Sequence, residues 1–309
     1  MQQKKSRLKF YSRWLILGGT LFFLAKAFKD NWLEVAAIRI EALGWATLAI
    51  AYGITMLAHI WSGWVWTWIL NELNQPVPSS QFIQVYLKTN IAKYLPGNVW
   101  HYYGRILAAK NAGVTPNIAT LSVLLEPLLM AGAALIVILL SIQSLAINTQ
   151  SYLGGLLILV LAAVLIALHP RFLNLVIRFF SRLKLKSSTT NSVDVKTFQV
   201  QHYPWRPLLG YLGFIGLRGA GFLLTVLALT SVQISQIPLL IGAFSLAWLV
   251  GLVVPVAPGG LGVFEVTAIA MLQHSFSAGL VVSAIAFYRL ISILAETVGA
   301  GLATLDERR

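Results

Sequence analysis

The sequence lacks cysteine: none of its 309 residues is one. Disulfide bonds, thiolate nucleophiles and cysteine-ligated metal centres are therefore excluded. Both oxidising and reducing compartments accept a cysteine-free chain, so this absence leaves the location of the protein open.

Charged residues are also scarce. They make up 11% of the chain, whereas an average soluble domain carries about 25%. Hydrophobic residues reach 58%, and the mean hydropathy is +0.77. At about 20 residues for each helical crossing, this is enough for about eight hydrophobic helices. The composition predicts an all-α, polytopic integral membrane bundle in which residues 1–309 form a single domain.

Acidic residues are less than half as numerous as basic ones. The chain has ten acidic and 23 basic residues, which gives a net charge of +13. The basic residues concentrate between apolar runs, where they orient membrane proteins and contact anionic lipid, so we expect no nucleic-acid binding. Seven of them lie in residues 171–206 beside one aspartate. We predict that this segment is a flexible cytoplasmic loop between two halves, that residues 11–29 form an uncleaved first helix, and that both termini are cytoplasmic.

Motifs for catalysis and nucleotide binding are missing as well. The sequence contains no histidine pair spaced for a metal, no Gly-x-Ser-x-Gly elbow, no P-loop and no dinucleotide-binding glycine pattern. We therefore expect no enzymatic activity, no cofactor and no metal site.

Two breaks interrupt the apolar sequence. The first contains Pro96 and Gly97, and the second contains Pro258, Gly259 and Gly260. Proline lacks an amide donor and glycine loses the most backbone entropy on folding, so a helix is expected to end at each break and a new one to begin after it.

Two arrangements of the helices satisfy this pattern. In the first, eight helices cross the membrane fully. In the second, residues 81–112 and 238–275 are re-entrant hairpins that enter from opposite faces and meet near the bilayer centre, as in many transporters. The segment 81–95 is too polar to face lipid as a spanning helix, so we expect it either to lie in the interface or to form half of a re-entrant hairpin whose polar face lines a cavity. In the second arrangement, the two halves would be an inverted repeat.

Ionisable residues within the apolar segments are the candidates for function, since an isolated charge at the centre of a membrane helix costs at least roughly 2.5–3.5 kcal/mol. The candidate cavity carboxylates are Glu126, Glu265 and Glu296, and the candidate headgroup-binding or anion-binding residues are Lys93, His101, Arg105, Arg218 and Arg289.

Each candidate also has a purely structural interpretation. Glu265 is predicted in the first turn of a new helix, where the helix dipole favours an anion and the side chain could simply be a cap. His101 and Arg105 could converge on a phosphate at a helix N-terminus or reach interfacial water instead. Internal ion pairs, such as Arg289 with Glu126 or with Glu296, would compensate the charges without a ligand.

Three segments, Lys93–Arg105, Pro258–Glu265 and Ala286–Leu290, together resemble the flippase-like transmembrane domain family. That family includes the membrane domain of lysylphosphatidylglycerol synthases and stand-alone relatives, and the resemblance covers about residues 10–305. It implies that a lipid is moved or handled without nucleotide hydrolysis. It does not imply lipid synthesis, because the aminoacylating domain of bifunctional members has no counterpart up to Arg309.

By motif position, the resemblance also implies headgroup contacts at Arg105, Glu265 and Arg289. We expect a multi-pass protein of a bacterial or archaeal plasma membrane that passes a lipid between leaflets, the lipid being an anionic phospholipid or a lipid phosphate. A homo-oligomer or a separate lipid-modifying enzyme is a further expected partner. The alternatives are a membrane subunit or enzyme of polyprenyl-phosphate or glycolipid metabolism, and a non-catalytic scaffold.

Overall fold

The computed structural model describes residues 29, 32–95, 99–141, 152–175, 202–254 and 258–306. Within these ranges the regular structure is entirely helical, without a strand, so the prediction of an all-α membrane bundle is confirmed. The predicted helix at 11–29 except its last residue, the first break at Pro96 and Gly97, and most of the predicted loop 171–206 lie outside the described residues.

The main helices are numbered in chain order. They are α1 (Trp32–Ala37), α2 (Ala42–Glu72), α3 (Ser79–Asn90), α4 (Trp100–Asn111), α5 (Pro116–Leu140), α6 (Tyr152–Ala167), α7 (Trp205–Leu227), α8 (Ile237–Val253), α9 (Val263–Leu272) and α10 (Ala278–Asp306). Short 3₁₀ turns at Ile91–Tyr94 and Pro258–Gly260 lie next to the two breaks.

The helices fall into two length classes. Helices α2, α5, α7 and α10, and α8 with the turn before it, are long and apolar enough to cross a membrane. Helices α3, α4 and α9 have 12, 12 and 10 residues, which correspond to about 15–18 Å at 1.5 Å per residue. Each is therefore too short to cross a hydrocarbon core of about 30 Å.

The first pair of short helices, α3 and α4, forms an antiparallel hairpin. A Cβ atom added to Gly104 on α4 would lie 3.6 Å from the Cβ of Thr89 on α3. One residue further along α4, the Arg105 Nη2 atom donates to Asn90 Oδ1 at 3.4 Å. These contacts join residues on either side of the first break, so the chain reverses there. We call residues 79–111 the first hairpin.

The second pair, α8 and α9, reverses in the same way. A Cβ atom added to Gly251 would lie 3.5 Å from the Cα of Gly260, and the rings of Phe244 and Phe264 are 5.8 Å apart. We call residues 237–272 the second hairpin. Phe222 of α7 and Tyr288 of α10 add their rings to this pair, so one aromatic cluster holds the hairpin against both long helices.

The tips of the two hairpins meet. Tyr94, at the end of the first 3₁₀ turn, lies so close to Gly259 that a Cβ atom there would come within 2.6 Å of its ring. Each hairpin is followed by a long helix, α5 after the first and α10 after the second. The two short helices of the first hairpin agree with the re-entrant arrangement, whereas α8 with the turn before it is long enough to cross, so the second hairpin fits either arrangement.

Helices α2 and α7 pack against each other, and small residues let them approach closely. The Trp61 Nε1 atom of α2 donates to the carbonyl of Gly210 at 2.7 Å. Further along, a Cβ atom added to Gly221 would lie 2.5 Å from Thr55 Oγ1. This packing brings His59 of α2 next to Arg218 of α7, where their side-chain nitrogens are 3.2 Å apart.

The first hairpin can be tested with a disulfide, because the chain has no cysteine of its own. We expect Thr89→Cys with Gly104→Cys to form a bond on oxidation, since Cβ atoms 3.6 Å apart fall within the range of about 3.5–4.5 Å seen in disulfides. Loss of both maleimide-reactive thiols after oxidation measures the bond. The control pair is Thr89→Cys with Ala112→Cys, about 12 Å further along the chain. Equal oxidation of the two pairs, or none in the first, would contradict the hairpin.

Candidate functional site

A polar cavity lies where the two hairpin tips meet. Its volume is about 120 Å³, and its lining includes four of the predicted cations and two of the predicted carboxylates: Lys93, Arg105, Arg218 and Arg289, with Glu126 and Glu296. Ligand pockets usually measure roughly 300–1,000 Å³. In this conformation the cavity therefore has room for a small polar group and not for a whole lipid headgroup.

In the first unit, Arg105 of α4 is paired with Glu126 of α5. The Arg105 Nη1 atom is 2.5 Å from Glu126 Oε2, and the two side chains are 1% and 4% exposed. Tyr86 of α3 donates its hydroxyl hydrogen to Glu126 Oε1 at 2.7 Å, and the Arg105 guanidinium lies 3.6 Å from the centre of the Tyr86 ring. The ion pair therefore fastens the first hairpin to the helix that follows it.

Arg105 has further hydrogen bonds within its own hairpin. Its Nε atom donates to Thr89 Oγ1 at 3.3 Å, and Nη2 donates to Asn90 Oδ1. Because these bonds and the Glu126 carboxylate use much of the donor capacity of the guanidinium, Arg105 is a structural cation in this conformation.

In the second unit, Glu265 of α9 is paired with Arg289 of α10. Glu265 lies in the first turn of α9, as predicted, and its Oε2 atom accepts the backbone N–H of Gly262 at 2.5 Å. Glu265 therefore both caps its helix, as the sequence suggested, and forms an ion pair. This pair fastens the second hairpin to the helix that follows it.

Arg289 also donates hydrogen bonds to the backbone of the second break. Its Nη1 and Nη2 atoms donate to the carbonyls of Gly259 and Gly260 at 3.2 and 3.0 Å. These glycines have φ values of 61° and 71°, in a region that other residues rarely adopt. The glycines therefore allow the turn that directs their carbonyls to Arg289.

The two ion pairs have corresponding positions and opposite polarity. In each unit, one residue lies on the second helix of the hairpin and the other on the long helix that follows. The hairpin residue is the cation Arg105 in the first unit and the anion Glu265 in the second. This correspondence supports the internal duplication that the two breaks indicate.

A third carboxylate, Glu296 of α10, joins the two units. Its Oε1 atom is 2.6 Å from Lys93 Nζ at the tip of the first hairpin, and 3.2 Å from His59 Nε2 of α2. The Glu296 side chain is 1% exposed and that of Lys93 is 20% exposed. The Oε2 atom of Glu296 has no hydrogen-bond partner among the described residues.

Arg218 of α7 differs from the other two arginines. It is 5% exposed, yet it forms no ion pair with a carboxylate of the described residues. Its Nη1 atom is 3.2 Å from His59 Nε2 and 3.3 Å from Ser292 Oγ, and its Nε atom has no partner within the described part of the chain. It is a buried cation with incomplete compensation.

His101 lines the same cavity and is 6% exposed. Its Nδ1 atom is buried and has no hydrogen-bond partner among the described residues. The imidazole therefore contributes a free hydrogen-bonding group to the cavity.

The predicted internal pairs, Glu126 with Arg289 and Arg289 with Glu296, are wrong. Glu126 pairs with Arg105, and Glu296 pairs with Lys93. The packing of the helices decides which charges meet, and this packing could not be inferred from positions in the sequence. Sequence reasoning also missed the neutral members of the site. The signal for His59 was present: it is an imidazole in the middle of the 31-residue apolar helix α2.

The cavity presents side chains of both charge signs. Arginine, lysine and carboxylate side chains within one small cavity offer partners for both signs of charge. No group of three histidine, aspartate or glutamate side chains within the described ranges could hold a metal ion. Binding of a polar group by charge is the chemistry that these residues offer.

Comparison with known proteins gives one family. The model of the family described as the lysylphosphatidylglycerol synthase TM region matches residues 14–299, a range that includes both hairpins, all of α5 and most of α10. No curated protein matches the chain closely enough to be counted as a relative.

The ion pair of the first unit can be tested with a double-mutant cycle. We expect Arg105→Met and Glu126→Gln each to lower the free energy of unfolding by about 3–5 kcal/mol, because each leaves one buried charge unpaired. The double variant should lose less than the sum of the two, since neither charge remains. Unfolding of the detergent-solubilised protein measures all three.

The matched control is Asp306→Asn, which changes an exposed hydrogen bond with Gln84 and should shift stability by no more than about 0.5 kcal/mol. Strictly additive losses in the cycle would contradict a coupled pair.

Proposed function

The chain belongs to the family of the lysylphosphatidylglycerol synthase transmembrane region, and from that premise we propose that it moves a lipid with a polar headgroup between the two membrane leaflets. The family suggests a membrane role related to lipids, and the apolar helices make the chain a multi-pass membrane protein. In our proposal the protein is not an enzyme, and it uses no nucleotide.

The buried charged cavity is the observation that carries the proposal. A lipid headgroup must pass a hydrocarbon core of about 30 Å, where an uncompensated charge costs several kcal/mol. The cavity offers four cations close to the meeting point of the hairpin tips. Such broken-helix sites at the junction of two repeats are a common way for transporters to bind polar substrates inside a membrane.

For a headgroup to pass, the cavity must widen, because its volume of about 120 Å³ is smaller than that of a usual ligand pocket. The two hairpins are the parts that would move, since each is fastened to its long helix by one ion pair. The Arg289 side chain is 16% exposed whereas that of Arg105 is 1% exposed. We propose that the Glu265 pair opens more readily than the Glu126 pair.

The proposed substrate is an anionic or zwitterionic phospholipid, or another lipid phosphate, in the plasma membrane of a bacterium or archaeon. The lipid gradient, or protons exchanged at a glutamate, would supply the energy. A second copy of the chain or a separate lipid-modifying enzyme is the proposed partner.

Reconstituted vesicles with a trace of fluorescent phospholipid test the proposal. We expect a membrane-impermeant reductant to bleach lipid from both leaflets when the protein is present, and from the outer leaflet alone when it is absent. Added ATP should leave the rate unchanged. Arg289→Gln should slow the exchange at least about tenfold, the factor that corresponds to roughly 1.4 kcal/mol of lost stabilisation.

Arg206→Gln is the matched control, because this arginine of α7 is exposed and packs over Trp68 instead of lining the cavity. If folded protein left several headgroups in their original leaflets, the flippase function would be wrong, and a subunit of polyprenyl-phosphate or glycolipid metabolism would be the better proposal. If folded Arg289→Gln protein kept the full exchange rate, the assignment of Arg289 to the site would be wrong.

A further inference from the structure

One nitrogen atom of the cavity has two contacts that it cannot satisfy together. The Nε2 atom of His59 is 3.2 Å from Glu296 Oε1 and 3.2 Å from Arg218 Nη1. The carboxylate can only accept a hydrogen bond, and the guanidinium can only donate one. A ring nitrogen either carries a hydrogen and donates it, or carries none and accepts.

The two tautomers of His59 therefore satisfy different partners. When Nε2 carries the hydrogen, it donates to Glu296, and Arg218 loses an acceptor. When Nε2 is bare, it accepts from Arg218 but opposes a carboxylate lone pair at 3.2 Å. A doubly protonated imidazole also donates to Glu296 and repels the guanidinium. Both partners are charged, so both hydrogen bonds are charge-assisted and their strength alone does not select a tautomer. An anion bound to Arg218 would select the first tautomer, because Arg218 would then no longer need Nε2 as an acceptor.

In the tautomer that donates to Glu296, Arg218 has few partners. Only Ser292 Oγ, at 3.3 Å, then accepts from it among the described side chains, while Tyr288 offers the face of its ring at 5.2 Å. A guanidinium has five N–H donors, and this one is 5% exposed. A buried charge without its partner costs several kcal/mol, so the site is short of one anion.

The charges around the cavity point to the same conclusion. Four cations line it, whereas the carboxylates that pair with them are three: Glu126, Glu265 and Glu296. With neutral imidazoles, the cluster has one excess positive charge, and Arg218 is the cation without a carboxylate. One bound monoanion would neutralise it.

We propose that Arg218 binds a phosphate group inside the cavity, while His59 donates its Nε2 hydrogen to Glu296. The planar fork of a guanidinium matches two phosphate oxygens at once, and Ser292 is placed to donate a further hydrogen bond to the same anion. A single phosphate suits the small cavity, whereas a complete headgroup does not. The inference rests on the proposed function only in that the phosphate arrives on a lipid; inorganic phosphate has the same chemistry.

Binding to protein purified in a phosphate-free maltoside detergent tests this site. The probes are short-chain phosphatidic acid, the matching short-chain diacylglycerol without phosphate, and inorganic phosphate, and the signal is the rise in melting temperature with ligand concentration. We expect phosphatidic acid to stabilise the protein saturably and diacylglycerol to have no saturable effect. Stabilisation by inorganic phosphate at the same concentrations would identify the free anion as the ligand, whereas stabilisation by the lipid alone would identify a headgroup.

Arg218→Gln should weaken phosphatidic acid binding by about 30-fold or more, the factor that corresponds to the roughly 2 kcal/mol lost when one partner of a buried charge pair is removed. Arg206→Gln, on the same helix but outside the cavity, should change the dissociation constant less than about twofold, since its exposed charge is largely screened. If the glutamine variant does not fold, Arg218→Lys is used instead, because it keeps the positive charge. It should bind phosphatidic acid more weakly than the wild type, because an ammonium lacks the planar fork.

Wild-type affinity in a folded Arg218 variant, or equal stabilisation by diacylglycerol, would overturn the phosphate site. The outcome is separate from that of the proposed function. Phosphate-dependent binding that needs Arg218, in a protein that exchanges no lipid between leaflets, would support this site and reject transport. Exchange that continues with unchanged phosphate binding in Arg218→Gln would reject this site alone.

Discussion

The structure depends on one constraint: a charge inside an apolar bundle must find a partner of opposite sign. Three carboxylates meet it through cations of other elements, Glu126 through α4, Glu265 through α10 and Glu296 through the tip of the first hairpin. Each of these partners is distant in sequence or lies across a turn. These ion pairs therefore hold the hairpins against the long helices. The charged residues of the site also stabilise the fold.

The apolar runs and the helix breakers predicted the elements well. Helices α2, α5, α7 and α10, and α8 with the turn before it, are long and apolar enough to cross a membrane. A span needs about 20 apolar residues, and a run of that length is visible in the sequence. The second break was predictable for a similar reason. Its glycines adopt positive φ values, and the helix after it begins at Val263 with Glu265 in the first turn.

The partners of the charges could not be predicted in the same way. Lys93 and Glu296 lie 203 residues apart, and only the meeting of two reversed chains brings them together. His59, Ser292 and Asn90 are neutral, so a search for intramembrane charge passes over them, although their side chains contact Arg105 and Arg218. Hydropathy reports on burial, whereas these contacts depend on which faces of the helices meet.

In the proposed transport, the opposite polarity of the two ion pairs would matter. If both hairpins carried the cation, opening either one would expose positive charge, and an anion would gain the same stabilisation at both ends of the path. With Arg105 on one hairpin and Glu265 on the other, the two ends differ in the charge that would move. Arg218 belongs to neither pair and lies on α7. An anion bound there, as we propose, would stay in place while either hairpin moved, and the stabilisation that it contributes would grow only with its own concentration relative to its dissociation constant. The proposed phosphate site is thus a fixed cation beside two pairs of opposite polarity, which would hold an anion without tying it to one side of the membrane.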